Sequence, residues 1–178
     1  MVGEPAFSRA GTEHSAEVLA VLDEAAEWLR GRGIAQWPAR FEARWIEEAL
    51  RRGETWLVRL DGRLAATVTL DWADPLWGDD PAPAGYLHRM AVRRHAAGLD
   101  LGHRMIDWAA QAVLGRGRRQ LRLDCVSANR PLRAWYEAAG FVHRGDATVG
   151  GAPGQRLQDG AVTVVSRYEL ALGDASPR

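Results

Sequence analysis

Apolar and polar positions change period repeatedly along the chain, and each change marks an element. Residues 6–10 read as a short first strand. Val18, Leu22, Ala25 and Leu29 then recur at helical spacing and predict a helix over 15–30. Thr12 or Ser15 would cap it, and Gly31 and Gly33 would end it. Trp37-Pro38 breaks the chain. A second helix is predicted over about 39–52, on the stripe Phe41, Trp45, Ile46 and Leu50, with Gly53 as its stop. Strands at 55–60 and 63–72 flank Asp61-Gly62, a hairpin signal. A Pro- and Gly-bearing loop covers 73–85, and a strand covers 86–92. Leu101, Met105, Trp108 and Ala112 set a helix over 101–114. A strand at 120–126 precedes a helix at 131–139, with Pro131 near its first turn and Gly140 at its end. A strand at 141–144, a Gly-rich loop at 145–160 and a strand at 161–172 complete the order β-α-α-β-β-β-α-β-α-β-β.

Length and composition narrow the class. At 178 residues the chain reads as a single domain spanning 1–178, with a core over about 6–172. With 47% hydrophobic residues and zero formal charge, disorder is not expected. The single cysteine, Cys125, excludes an internal disulfide and a Cys-rich zinc site, and its apolar strand predicts a buried, inert thiol. No apolar run approaches ~18 residues, so no membrane span is expected. The first ten residues lack an apolar signal-peptide core. The expectation is a soluble, cytoplasmic protein with no membrane or nucleic-acid partner.

Charge distribution changes this picture. All 23 basic residues are arginine, and lysine is absent. Residues 85–122 hold eight arginines against Asp100 and Asp107, a local charge of +6 hidden by −6 elsewhere. Such a segment suits a polyanion, although about half of its arginines are expected to be solvated surface.

Two constellations carry candidate chemistry. Residues 97–102 read AGLDLG between a strand and a helix. A glycine turn there presents unpaired N–H groups to a phosphate, or simply caps the helix. Further on, Asn129, Leu132, Tyr136, Gly140 and Phe141 lie across a strand-to-helix unit. Asn129 alone reads as a cap, and Tyr136 alone as a core tyrosine with a bonded hydroxyl.

Taken together, the strand YLHRMAV at 86–92, the glycine turn and helix, the Asn129 to Phe141 pattern and the element order resemble the GNAT N-acetyltransferase superfamily. The resemblance implies an α+β fold: a mostly antiparallel seven-stranded sheet with a splayed strand pair, flanked by about four helices. It implies an acetyl-CoA-dependent N-acetyltransferase that acts as a monomer or homodimer. Met90, Ala91 and Val92 would bind the pantetheine arm and orient the thioester. The turn Ala97, Gly98, Leu99, Asp100, Leu101 and Gly102, extended by His103 and Arg104, would hold the pyrophosphate. Asn129, Leu132 and Trp135 would line the pantetheine, with Tyr136 near the sulfur. Two positions depart from the family turn: Ala97 stands where Arg or Gln is usual, and Asp100 where a glycine is usual. Asp100 is expected to point to solvent or to cap the helix, leaving backbone N–H groups toward the ligand.

Amine acetylation needs a neutral amine, an oxyanion donor and an acid for the leaving thiolate. A backbone N–H within 90–92 is the expected donor, and Tyr136 the candidate acid. His88, placed by alternation on the face of Tyr86, Met90 and Val92, is the first candidate base. Asp71 and water are the competitors. No metal is called for. Residues 71–80 carry four acids, two tryptophans and no basic residue. Trp72, Asp74 and Trp77, with Trp37 from the earlier break, would receive a small cationic amine, or else form a solvated acidic loop. Acceptors on a peptide or protein, and a non-catalytic CoA-binding sensor, are the alternatives.

Overall fold

A computed structural model describes residues 3–150 and 162–173. Seven strands lie in one sheet: β1 (Ala6–Arg9), β2 (Thr55–Leu60), β3 (Arg63–Asp71), β4 (Gly85–Val92), β5 (Gln120–Val126), β6 (Val142–Val149) and β7 (Thr163–Ala171). Four helices join them: α1 (Ser15–Gly31), α2 (Glu47–Arg51), α3 (Leu101–Leu114) and α4 (Arg130–Ala138). The spatial order is β1-β2-β3-β4-β5-β7-β6. Only β4 and β5 pair parallel; the crossover through α3 makes that possible. This is the α+β sheet the sequence predicts.

Alternation along the strands divides the core into two layers. Val58, Ala66, Val68, Leu70 and Leu87 pack with Leu101, Met105, Ile106 and Ala109 of α3. Leu57 and Ala91 pack on the other side with Val18, Val21 and Leu22 of α1 and with Phe41 and Ile46. A smaller cluster of Trp77, Ala84 and Tyr86 sits under the β3–β4 connection.

Two elements differ from the periodicity. The helix predicted over 39–52 is a 3-10 turn (Ala43–Trp45) followed by the short α2. The Phe41 N–H is taken by the Asp23 carboxylate at 2.8 Å, and Glu42 is extended, so the apolar stripe is buried without a continuous helix. The strand predicted to end at residue 144 continues to Val149. Gly145, which reads as the start of a loop, has φ +95° inside a register shift between His143 and Asp146. It is a bulge glycine, and the strand resumes beyond it. The loop reading for 150–160 lies almost wholly outside the described residues.

Candidate active site

The site starts from a failure of pairing. β4 pairs with β5 only through Gly85, Tyr86 and Leu87. Beyond Leu87 the strands part, and β5 continues along β7 instead. Residues 88–92 therefore have an open edge of peptide groups facing the gap. Arg93 N donates to Ala65 O at 2.8 Å on the β3 side. Alternation turns the N–H of Val92 the other way, toward the gap. Buried peptide groups need partners, and a bound extended arm would supply them.

A bulge sharpens the geometry. Thr69 pairs with His88 and Thr67 with Ala91, so Arg89 and Met90 together oppose Val68. Arg89 has φ +49°, uncommon for a residue with a side chain. The extra residue reverses the alternation. His88 shares its face with Ala91 and the α1 layer, while Met90 and Val92 pack toward the α3 layer. The sequence-based placement of His88 on the face of Met90 and Val92 is thus corrected, because strict period two does not survive a bulge.

The gap opens into a cavity of about 470 Å³. His88, Arg89, Met90, Ala91 and Val92 form one wall, and Asp124 and Val126 of β5 the facing one. Leu132 and Tyr136 close it from α4, and Trp28, Gln36 and Trp37 from α1 and the loop after it. Gln36 holds this loop in the splay: its Oε1 accepts from Val126 N at 3.2 Å and from Asn129 Nδ2 at 3.0 Å. Asn129 also caps α4 through Leu132 N at 3.3 Å, so it positions the cavity wall without lining it.

One end of the cavity is a cluster of acids around an imidazole. His88 Nε2 lies 3.5 Å from Asp74 Oδ2 and 3.7 Å from Asp71 Oδ2. Ligand atoms of Asp74, His88 and Asp124 all fall within 4.8 Å of one another, an arrangement suited to a cation, whether ammonium or metal ion. Burial holds His88 below the ordinary imidazole range, against the pull of Asp74 and Asp124. Burial pushes Asp124 up to about 6, with His88 opposing. Asp71 also accepts from Arg52 at 2.7 Å. Burial pushes the Tyr136 phenol well above its usual range, so it stays protonated and able to donate. Cys125 is 1% exposed and its thiol is pushed up to about 12 by burial, as expected of an inert cysteine.

The remaining sequence-predicted residues divide by place. Tyr136, His88, Asp71, Met90, Ala91, Val92, Leu132 and Trp37 meet at the cavity. Asp74 joins through His88, and its other carboxylate oxygen caps the turn at Leu76 N. Ala97, Gly98, Leu99, Asp100, Leu101, Gly102, His103, Arg104 and Trp135 lie outside its lining, in the turn and first helical positions of α3 and on α4. Gly98 and Asp100 both have positive φ. Asp100 makes no capping bond; its side chain is 70% exposed and meets His103 Nδ1 at 2.5 Å. Of the two arrangements expected of Asp100, the solvent-facing one is found. Gly102 lets α3 approach Trp135, where a Cβ would come within 3.0 Å of the indole. Leu101 is buried in the core, and Arg104 is held by Glu4 and Gly3.

Trp72 and Trp77 do not reach the cavity. Trp72 lies beneath Arg116 and Arg118, and Trp77 is buried between Arg122 and Arg167. Guanidinium stacking, which spacing alone does not disclose, holds both at the far end of the sheet. Sequence reasoning does not single out Asp124, Gln36 or Trp28. Asp124 is the one acid in β5, between Leu123 and Cys125, and that is the signal that could have marked it.

Comparison with known proteins agrees with this geometry. The family model described as the acetyltransferase (GNAT) family matches residues 21–141. The uncharacterized N-acetyltransferase YesJ of Bacillus subtilis (strain 168) is 34% identical over 142 residues, covering 75% of this chain and 79% of the relative. A GNAT-family acetyltransferase structure from Listeria monocytogenes 4b F2365 superposes with a TM-score of 0.74 at 24% identity, covering 96% of each chain. A putative acetyltransferase from Salmonella typhimurium, solved with its cofactor acetyl-CoA, superposes with a TM-score of 0.63 at 12% identity, covering 99% of this chain and 98% of that one. With the splayed strands and the family match in agreement, the chain belongs to the acetyltransferase (GNAT) family and is an acetyl-CoA-dependent N-acetyltransferase.

Proposed function

We propose that the acceptor is the primary amine of a small molecule that enters the cavity as an ammonium. The observation that carries this reading is the Asp74, His88 and Asp124 cluster, enclosed at one end of the cavity that the open β4 edge lines. Carboxylates in an enclosed, weakly screened site favour a cation strongly. Trp37 and Trp28 give the same cavity aromatic surface.

Acetyl-CoA supplies an activated thioester when bound. A backbone N–H within 90–92, on the open edge of β4, would receive the carbonyl oxygen as it gains charge. His88 Nε2 takes the ammonium proton; burial keeps the imidazole neutral and ready to accept it. Asp74 and Asp124 stabilise the imidazolium so formed. Asp71, its carboxylate shared with Arg52, orients the ring. Tyr136, kept protonated by burial, donates to the departing sulfur. Met90, Ala91, Val92, Leu132 and the turn at 97–104, with Trp135 and Asn129 behind them, bind the long arm and pyrophosphate.

The test is a broad amine screen with acetyl-CoA and thiol detection. Thiol release with small amines is expected. Acetylation confined to peptide or protein amines, or tight CoA binding with no thiol release on any amine, overturns the reading.

A further inference from the structure

The cavity end that holds the acidic cluster also contains a cation. Arg89, the residue added by the bulge, lines the cavity beside His88. Among the described residues, no hydrogen bond or ion pair engages its guanidinium. Asp71, the carboxylate near enough to favour its charge, already receives Arg52 at 2.7 Å, and Arg52 itself repels Arg89. Burial lowers the guanidinium's pKa from its ordinary value, but arginine stays charged at physiological pH.

Two costs therefore meet at one residue. A half-buried guanidinium lines the cavity with no protein partner among the described residues, and its backbone sits at positive φ, where Gly or Asn would rest more easily. An unpaired charge at a cavity wall points to a ligand group of opposite charge, and the bulge fixes where that charge is presented. The donors form a planar fork, which matches a carboxylate.

We propose that the acceptor carries a carboxylate as well as an amine, the Arg89 guanidinium receiving the carboxylate while the Asp74, His88 and Asp124 cluster receives the ammonium. The acceptor class is thus amino-acid-like. This rests on the small-amine reading above and adds to it the second charge. Opposite charges at two points of one cavity reject a simple polyamine at Arg89 and reject a simple carboxylate at Asp124, so the pair selects for both groups together.

The experiment compares matched acceptors. Amino acids are assayed with acetyl-CoA against their decarboxylated amines and their carboxamides. The amino acid of each pair should have kcat/KM about 10²-fold higher, the upper scale for losing a hydrogen bond to a charged group. Arg89→Gln should collapse that ratio toward one, and Arg89→Lys should restore part of it. Calorimetry with the same pairs on the CoA-loaded protein gives a second reading, independent of turnover. Equal rates within pairs, or a ratio unchanged by Arg89→Gln, overturn the carboxylate proposal while leaving the small-amine reading intact. Should Arg89→Gln fail to fold, the wild-type ratio and Arg89→Lys still decide. Acetylation of polypeptide amines alone overturns both.

Discussion

Asp124 is the residue whose environment does most to define the acceptor end. Its pKa is pushed up to about 6 by burial, against about 3.9 in an unfolded chain. Between those values the folded protein keeps a proton that the unfolded chain has released. Stability on this account is fully present below about pH 4 and lost as pH rises toward 6, by about 2–3 kcal/mol in all. Asp124→Asn removes the titration. The variant should match wild type near pH 4 and exceed it by that amount at pH 7, in urea unfolding at a series of pH values. A pH-independent difference would defeat this account. The same variant should lower kcat/KM for amines, so the site gives up stability for function. Tyr136→Phe tests the other end. Its ring packs on Trp135 and Phe141 at 5.2 and 5.6 Å, contacts the phenyl ring retains. Turnover should fall about 10²-fold while the folded state persists; unchanged kcat removes Tyr136 from the reaction. Tyr136 and His88 are legible in the sequence because their spacing from a glycine turn and a Gly-Phe pair is local. Asp124 and Arg89 are not: one depends on β5 leaving β4, the other on a bulge, and both are facts of pairing between distant strands.

At the scale of elements, helices and strands with an uninterrupted stripe, such as α1 and α3, read directly from period. The exceptions have specific causes. Glu42 is extended, which interrupts a helix over residues 39–52, and Gly145 serves a bulge inside a strand. The turn before α3 is legible in the sequence as a glycine turn opening a helix, but its conformation is not. Asp100 holds φ +57° there and exposes a carboxylate at the helix N-terminus, where an anionic ligand is expected. Asp100→Gly relieves the left-handed conformation and removes the like charge. It should tighten CoA binding several-fold by calorimetry; equal or weaker binding would mean that the His103 contact matters more. At the opposite end of the sheet, Arg122 is fully buried, bonded to Glu169 at 2.8 Å and Asp80 at 2.6 Å and stacked on Trp77. Arg122→Ala leaves the Glu169 carboxylate only Arg144, at 3.8 Å, and should cost about 3–5 kcal/mol in denaturant unfolding. A loss below 1 kcal/mol would show that solvent reaches the pair.

Across the whole molecule, the +6 segment splits in two. Arg116, Arg118 and Arg122 engage Trp72, Trp77, Ala84 and Asp80 at the far end of the sheet, where they hold the β3–β4 connection against β5. Arg93 binds Glu24 of α1, and Arg104 binds Glu4. Arg94 is different: it stacks on Trp28 at 4.4 Å, is exposed, and lines the cavity at the end from which the chain runs into the glycine turn. Net charge counted along the sequence therefore overstates the field that an incoming polyanion meets, because most of these guanidiniums are spent on internal partners. Arg94→Gln should raise KM for acetyl-CoA several-fold and flatten its dependence on ionic strength, since a solvent-facing charge acts within a Debye length. Arg116→Gln, with its guanidinium 3.9 Å over Trp72 and outside the cavity lining, should leave both unchanged. Initial rates at 20 mM and 200 mM salt, on the order of a threefold change in screening length, distinguish them. If Arg116→Gln shifts KM as much as Arg94→Gln, the segment acts on the ligand as one field, and the division by internal pairing fails.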